Sequence, residues 1–267
     1  MLNWAVTFYT LCILSVLFLS QAGCASSKPK HVFAAPQSAA EKSYQEAVRL
    51  LDQELYQEAQ NAFSDIKSKH PYSNFAILAD LGIADSFFER KKYIEASEAY
   101  NTFITYQPNH TEVPYAMLKI GHAHFEQIPT DFWFLPPAAE KDQTHTQQAL
   151  QAYASLVKSY PEHPLAKEAR DRIVLCENKL ANHERYVGRF YWKRHKYAGA
   201  AQRFETLISA YPQSSYIPEA LWTAGASRAR LGQNTTASSH LQRLVQEFPL
   251  TPYAGKAKNL LLTLPKP

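Results

Sequence analysis

Residues 197–212 read YAGAAQRFETLISAYP. In that stretch Ala200 is followed four residues later by Phe204, three further on by Leu207, and then by Pro212. A small residue, a ring at i+4 and a large apolar residue at i+7 lie on one stripe of a helix. The small residue admits a partner helix and the ring fills the space beside it. The proline ends the segment, because it has no amide donor and moves its predecessor out of the helical region. Four more copies carry the same spacing: Ala59/Phe63/Ile66/Pro71, Ala96/Tyr100/Phe103/Pro108, Ala149/Tyr153/Leu156/Pro161 and Ala237/Leu241/Leu244/Pro249.

Each proline is followed by a helix-start signal: Ser73-Asn74, Thr111, Ser215, and Thr251 with Pro252 at a first helical position. Tyr56, Tyr93 and Tyr197 stand three residues before the packing alanine, and Gly82, Gly121 and Gly225 fall in the preceding helices. These features resemble the tetratricopeptide repeat, a helix-turn-helix of about 34 residues ending in A-x3-F…P. The prolines are 37, 53, 51 and 37 residues apart. The third repeat therefore carries an insertion, 129–146, and the fourth carries extra helix between Leu165 and Arg194, either two helices or one long bent helix with the break near Asn182-His183. The expected fold is an all-α superhelical solenoid over residues 39–263, with five helix pairs and a closing helix at 252–263. Stacking supplies its stability and leaves a concave face.

Composition narrows the function. The closest glycines, Gly225 and Gly232, are seven apart, which excludes the glycine-rich phosphate loops and the G-x-S-x-G nucleophile elbow. A net charge of +4 without a Lys/Arg run gives no footprint for nucleic acid. Neither a catalytic residue, nor a metal, nor a cofactor is expected. His122 and His124 are two apart and point about 200° from one another on a helix, and His70, His110 and His163 fall in turns. All of these histidines are read as solvated surface.

The apolar run Ala5–Leu19 is too short for a span and reads as the core of a signal peptide, 1–23. Ala22-Gly23-Cys24 resembles a bacterial lipobox, although Gln21 stands where leucine is usual. Cys24 is the expected lipidation site, with a flexible tether at 24–38 and acyl chains as the membrane anchor. Ala25 in place of Asp resembles the outer-membrane sorting signal. Cys12 leaves with the signal, so Cys176 is the one remaining thiol, expected as a small buried apolar residue.

Two surface features stand out. Arg185, Arg189 and Lys193 recur every four residues, interleaved with Phe190, Tyr191 and Trp192. Either the rings face the core while the cations stay in water, or the stripe is a partner site, since Trp, Tyr and Arg are enriched in hot spots. Phe132-Trp133-Phe134-Leu135-Pro136-Pro137 is expected to fold back over the groove rather than stand free.

Leu180-Ala181-Asn182-His183-Glu184, Arg189-Phe190-Tyr191, the segment Tyr197–Glu205, Tyr211-Pro212 and Glu140–Thr144 together resemble the BamD/ComL family of outer-membrane assembly lipoproteins. The resemblance implies a periplasm-facing, lipid-anchored scaffold of the β-barrel assembly machinery. Its implied partners are an Omp85-type barrel subunit met by the C-terminal repeats, other assembly lipoproteins, and unfolded outer-membrane β-barrel clients met by the N-terminal repeats. Arg203 is the implied contact for the barrel subunit, with Arg185, Arg189 and Lys193 as further partner residues. His70 and Tyr72, flanking Pro71, are implied at the client end. The rival readings are a pilotin-like lipoprotein that assists secretin assembly and a hydrolase with an unrecognised site.

Overall fold

The computed structural model describes residues 38–134 and 136–265. The expected signal peptide, Cys24 and the tether up to residue 37 lie outside them, as does Leu135. Among the described residues the chain is all α. The helices are α1 (Ala39–Asp52), α2 (Tyr56–Lys69), α3 (Asn74–Glu89), α4 (Tyr93–Tyr106), α5 (Val113–Phe125), α6 (Thr144–Ser159), α7 (Leu165–Lys193), α8 (Tyr197–Ala210), α9 (Ile217–Arg230), α10 (Asn234–Glu247) and α11 (Pro252–Thr263), with a single 3-10 turn at Ala138–Glu140. Each helix packs on the next in chain order, giving five pairs and a closing helix. The fold is a tetratricopeptide-type solenoid.

The repeated motif is its core. The five alanines, the five large residues four further on and the five apolar residues after those are each at most 1% exposed. All lie on the second helices, α2, α4, α6, α8 and α10. The first helices supply the complementary small residues. A Cβ on Gly188 of α7 would sit 2.8 Å from the Phe204 ring, and one on Gly121 would sit 2.4 Å from Tyr153. Gly225 stands in the same relation to Leu241. Gly82 does not belong to this set. Ala84 holds the matching position and is fully buried, whereas Gly82 receives Phe63 from the preceding pair.

The turns repeat as closely as the core. In four pairs the two helices are joined by three residues whose middle member is left-handed: Glu54 (φ 64°), Lys91 (60°), His195 (58°) and Gly232 (73°). The next amide reaches back across the turn, as from Lys92 to the Phe87 carbonyl at 2.9 Å, which closes the last helical turn. Between pairs, the residue before each proline leaves the helical region. His70 has φ −133°, ψ 52°, and Tyr211 has φ −129°, ψ 59°, as the ring of the following proline requires. The side chain two residues after the proline then starts the next helix. Ser73, His110, His163 and Ser214 each accept a hydrogen bond from the amide two residues on. That corrects the expected caps at Thr111 and Ser215, whose neighbours Glu112 and Tyr216 hold the cap position, and gives two turn histidines a structural task.

One alternative is decided and one expectation corrected. Residues 165–193 form one helix of 29 residues rather than two, with no interruption at Asn182-His183. Its first half buries Ala169 and Cys176 with Tyr153 and Leu156, while its second half contributes Ala181 to the cluster around Phe204. The extra residues thus bridge two cores with one rod. In the insertion, Phe132, Trp133 and Phe134 are 55%, 91% and 62% exposed. The base of the loop is closed by Lys141 donating to the Thr130 carbonyl (3.3 Å) and by Asp131 accepting from the Ala138 amide (2.7 Å). The rings beyond that closure stand outward and pack edge-on against each other.

First helices touch one another: α1 meets α3, α5 meets α7, α7 meets α9, and α9 meets α11. No two second helices pack to that extent among the described residues. The first helices therefore line the inner face of the arc.

Phe204→Ala is expected to lower the unfolding free energy by about 3–5 kcal/mol, because the groove against Gly188 cannot collapse around the lost ring. Lys91→Gly should raise it by about 1 kcal/mol by relieving a left-handed backbone. Urea titrations followed by circular dichroism measure both.

Candidate partner-binding surfaces

The C-terminal half of α7 presents three faces, each with its own chemistry. Glu184 and Gly188 turn toward α8. Arg203 of α8 meets both oxygens of Glu184 at 3.2 Å, with Glu184 13% and Arg203 40% exposed. The guanidinium is thus held at one end and open at the other. Arg185 and Arg189 turn toward α9 and share the Glu219 carboxylate, at 2.7 and 3.6 Å. Arg185 also lies over the Tyr216 ring, 4.6 Å from its centre. The third face carries Tyr186, Phe190, Lys193 and Arg194. With Arg185 and Arg189 these line a hollow of about 370 Å³.

Neither expected arrangement of the interleaved rings holds for all three. Tyr191 packs against Gly199 and Trp192 lies edge-on to Tyr197, so both turn toward α8. Phe190 faces outward, 44% exposed, beneath the Arg194 guanidinium at 3.6 Å. Arg203 is tied to a different carboxylate from the stripe, so the four named cations form two stations rather than one. Sequence reasoning missed Glu219, Tyr186 and Arg194. The first lies on another helix, and only the recurrence of cations along α7 hinted at the last.

One edge of the hollow is set by the insertion. The Tyr186 hydroxyl donates to Glu140 at 2.8 Å, and His183 Nδ1 lies 2.8 Å from the Ala139 carbonyl. Farther along the arc, Arg228 is paired with Glu205 (Nε to Oε1, 2.7 Å), and His240 Nε2 is 3.1 Å from the same oxygen. Burial alone would raise the Glu205 carboxyl, but Arg228 and His240 outweigh it and hold it below the usual carboxylate range.

At the N-terminal end, Asp85 of α3 accepts hydrogen bonds from the hydroxyls of Tyr100 and Tyr115, the latter at 2.7 Å, with Lys119 Nζ at 3.8 Å. Lys119 also stands 4.3 Å over the Phe88 ring. Burial pushes the Asp85 carboxyl up, against the pull of Lys119 and the two hydroxyls. This inner-face cluster was not foreseen, because its members are scattered over three helices. His70 caps α2 through its backbone, and Tyr72 is fully exposed. Neither side chain joins the Asp85 cluster.

The helical histidines are not solvated surface, which corrects that expectation. His122 lies edge-on to Tyr153, with Nε2 3.1 Å from Glu168, and His124 stacks on His145. Cys176 is buried, and burial pushes its thiol up to about 11, the opposite of what a nucleophile needs.

The chain matches, over residues 36–240, the family model YfiO, described as outer membrane lipoprotein. It is 29% identical over 230 residues to the outer membrane protein assembly factor BamD of Caulobacter vibrioides, covering 86% of this chain and 73% of that protein. It is 28% identical over 251 residues to BamD of Rickettsia prowazekii, covering 94% and 96%. To BamD of Neisseria meningitidis serogroup A it is 28% identical over 222 residues, covering 81% and 82%.

Burial lowers the His122 pKa to about 4, against the opposing pull of Glu168. The unfolded chain binds that proton near the ordinary histidine value. Between pH 6.5 and 4 the unfolded state therefore holds more protons, and stability falls as the pH drops through that window. Unfolding midpoints measured across it should decline, and His122→Gln should flatten part of the decline.

Proposed function

Because the chain belongs to the YfiO family of outer membrane lipoproteins, we propose that it is a lipid-anchored scaffold on the periplasmic face of the outer membrane, acting in outer membrane protein assembly. Three relatives carry the name assembly factor, and a solenoid with an open inner face suits holding other polypeptides. The work assigned to it is binding rather than catalysis.

In this reading the signal peptide is removed and Cys24 carries the acyl chains. Residues 24–38 form the tether, whose reach is at most about 50 Å. No helix among the described residues is long and apolar enough to cross a membrane, so the lipid supplies the attachment. The N-terminal pairs hold an extended client segment, with His70 and Tyr72 at its entry. The C-terminal pairs dock an Omp85-type barrel subunit, alongside other assembly lipoproteins. Tethering raises the local concentration of client beside the barrel subunit without demanding tight binding.

The observation that carries the docking assignment is the half-open ion pair of Arg203. Glu184 fixes the guanidinium, and its exposed edge retains donors for a partner carboxylate or carbonyl.

Arg203→Ala in the full-length lipoprotein is expected to abolish co-purification of the barrel subunit from solubilised membranes while leaving the helical signal intact. Depletion of the protein should reduce barrel proteins in the outer membrane. Undiminished co-purification would remove Arg203 from the interface. Normal barrel levels after depletion, or a secretin in the eluate instead, would overturn the assembly role.

A further inference from the structure

The hollow along α7 carries more positive charge than its surroundings balance. Arg185, Arg189, Lys193 and Arg194 face it or its rim, and Glu219 is the one carboxylate paired with any of them among the described residues. Glu219 is 13% exposed, held closest by Arg185 and shared with Arg189 at 3.6 Å, so one carboxylate serves two arginines and Lys193 and Arg194 remain to be matched among the described residues. Like charges four apart on a helix repel. The negative end of α7 offsets part of this for its last turn, but not for Arg189. The floor is an aromatic ring, Phe190, with a guanidinium stacked on it. Arginine beside a partly exposed ring is the chemistry of a binding hot spot.

We propose that this hollow is a docking site for an extended acidic segment of a partner polypeptide, with carboxylates at alternate positions and an apolar side chain against Phe190. Helical residues four apart are about 6 Å apart along the axis. Side chains on one face of an extended strand recur about every 7 Å. Arg185, Arg189 and Lys193 thus form a ladder in step with a strand of the form acidic-x-acidic. From residue 185 to residue 194 the ladder is about 14 Å long, enough for four or five extended residues. A single phosphate would meet one rung and leave the others unmatched. The site is also recessed, with α9 beside it and the Ala138–Glu140 turn held at its edge through Tyr186. Residues 1–37 and 266–267 contain no Asp or Glu, so neither stretch supplies such a segment, and the occupant proposed is a partner polypeptide. The inference does not depend on what Arg203 meets.

The test uses the full-length lipoprotein in detergent and a rhodamine-labelled dodecapeptide of Ser and Gly with three alternate Glu and one Phe, followed by fluorescence anisotropy. The comparison peptide has the same composition with its three Glu contiguous. Binding of the alternating peptide is expected, weakening as salt is raised. Arg189→Gln/Lys193→Gln should reduce affinity by about tenfold. The charge-matched pair Lys158→Gln/Lys258→Gln, on exposed faces elsewhere, should not. Equal affinity in both double variants, or a preference for the contiguous peptide, would overturn the proposal. So would absence of peptide binding while phosphatidylglycerol vesicles or inorganic phosphate bind in an Arg189-dependent way, which would assign the hollow to a lipid or free phosphate.

Discussion

The ring of Phe204, seated in the space left by the missing side chain of Gly188, is the contact on which the arc depends. The same contact recurs where Tyr153 meets Gly121 and Leu241 meets Gly225. Each is a large residue of a second helix pressed into a small position on the first. Because the ring cannot shift without opening a void in a close-packed interior, it fixes the spacing of the pair. The prolines fix where each pair stops. Stacking then follows from repetition, with the first helices turned inward.

That geometry decides where chemistry can be displayed. The second helices commit their apolar stripes to the core, which leaves the inner and end faces of the first helices free to carry charge. Near the N-terminal end those faces hold Asp85 between two tyrosine hydroxyls and Lys119. Near the C-terminal end, Glu184 and Glu219 position arginines from below. Unbroken α7 joins the two cores.

The fold was legible because its rule is local. The alanine, the large residue and the proline sit within one helix at constant spacing, and a reader needs only periodicity to find them. The left-handed turn residues were not legible, since Glu54, Lys91 and His195 hold a conformation that only Gly232 advertises. For α7 the sequence left two helices or one long helix open, and tertiary packing on both sides decides for the single helix where propensity alone suggests a break. The stripe Arg185/Arg189/Lys193 was visible, but its carboxylate is a helix away at Glu219 and its aromatic floor is shared with Arg194. The Asp85 cluster gave no linear signal at all. Pairings between helices are set by the solenoid's geometry, and spacing along the chain does not encode them.

Hydrogen–deuterium exchange on the full-length protein, with and without purified Omp85-type barrel subunit, addresses the central claim most directly. Protection should appear on the first helices α7 and α9, their connecting turns and the part of α8 around Arg203, while the second helix α10 exchanges as before. Protection confined to second helices away from Arg203, or an exchange map that the partner leaves unchanged, would contradict a scaffold that presents its first helices and the Arg203 edge of α8 to other chains.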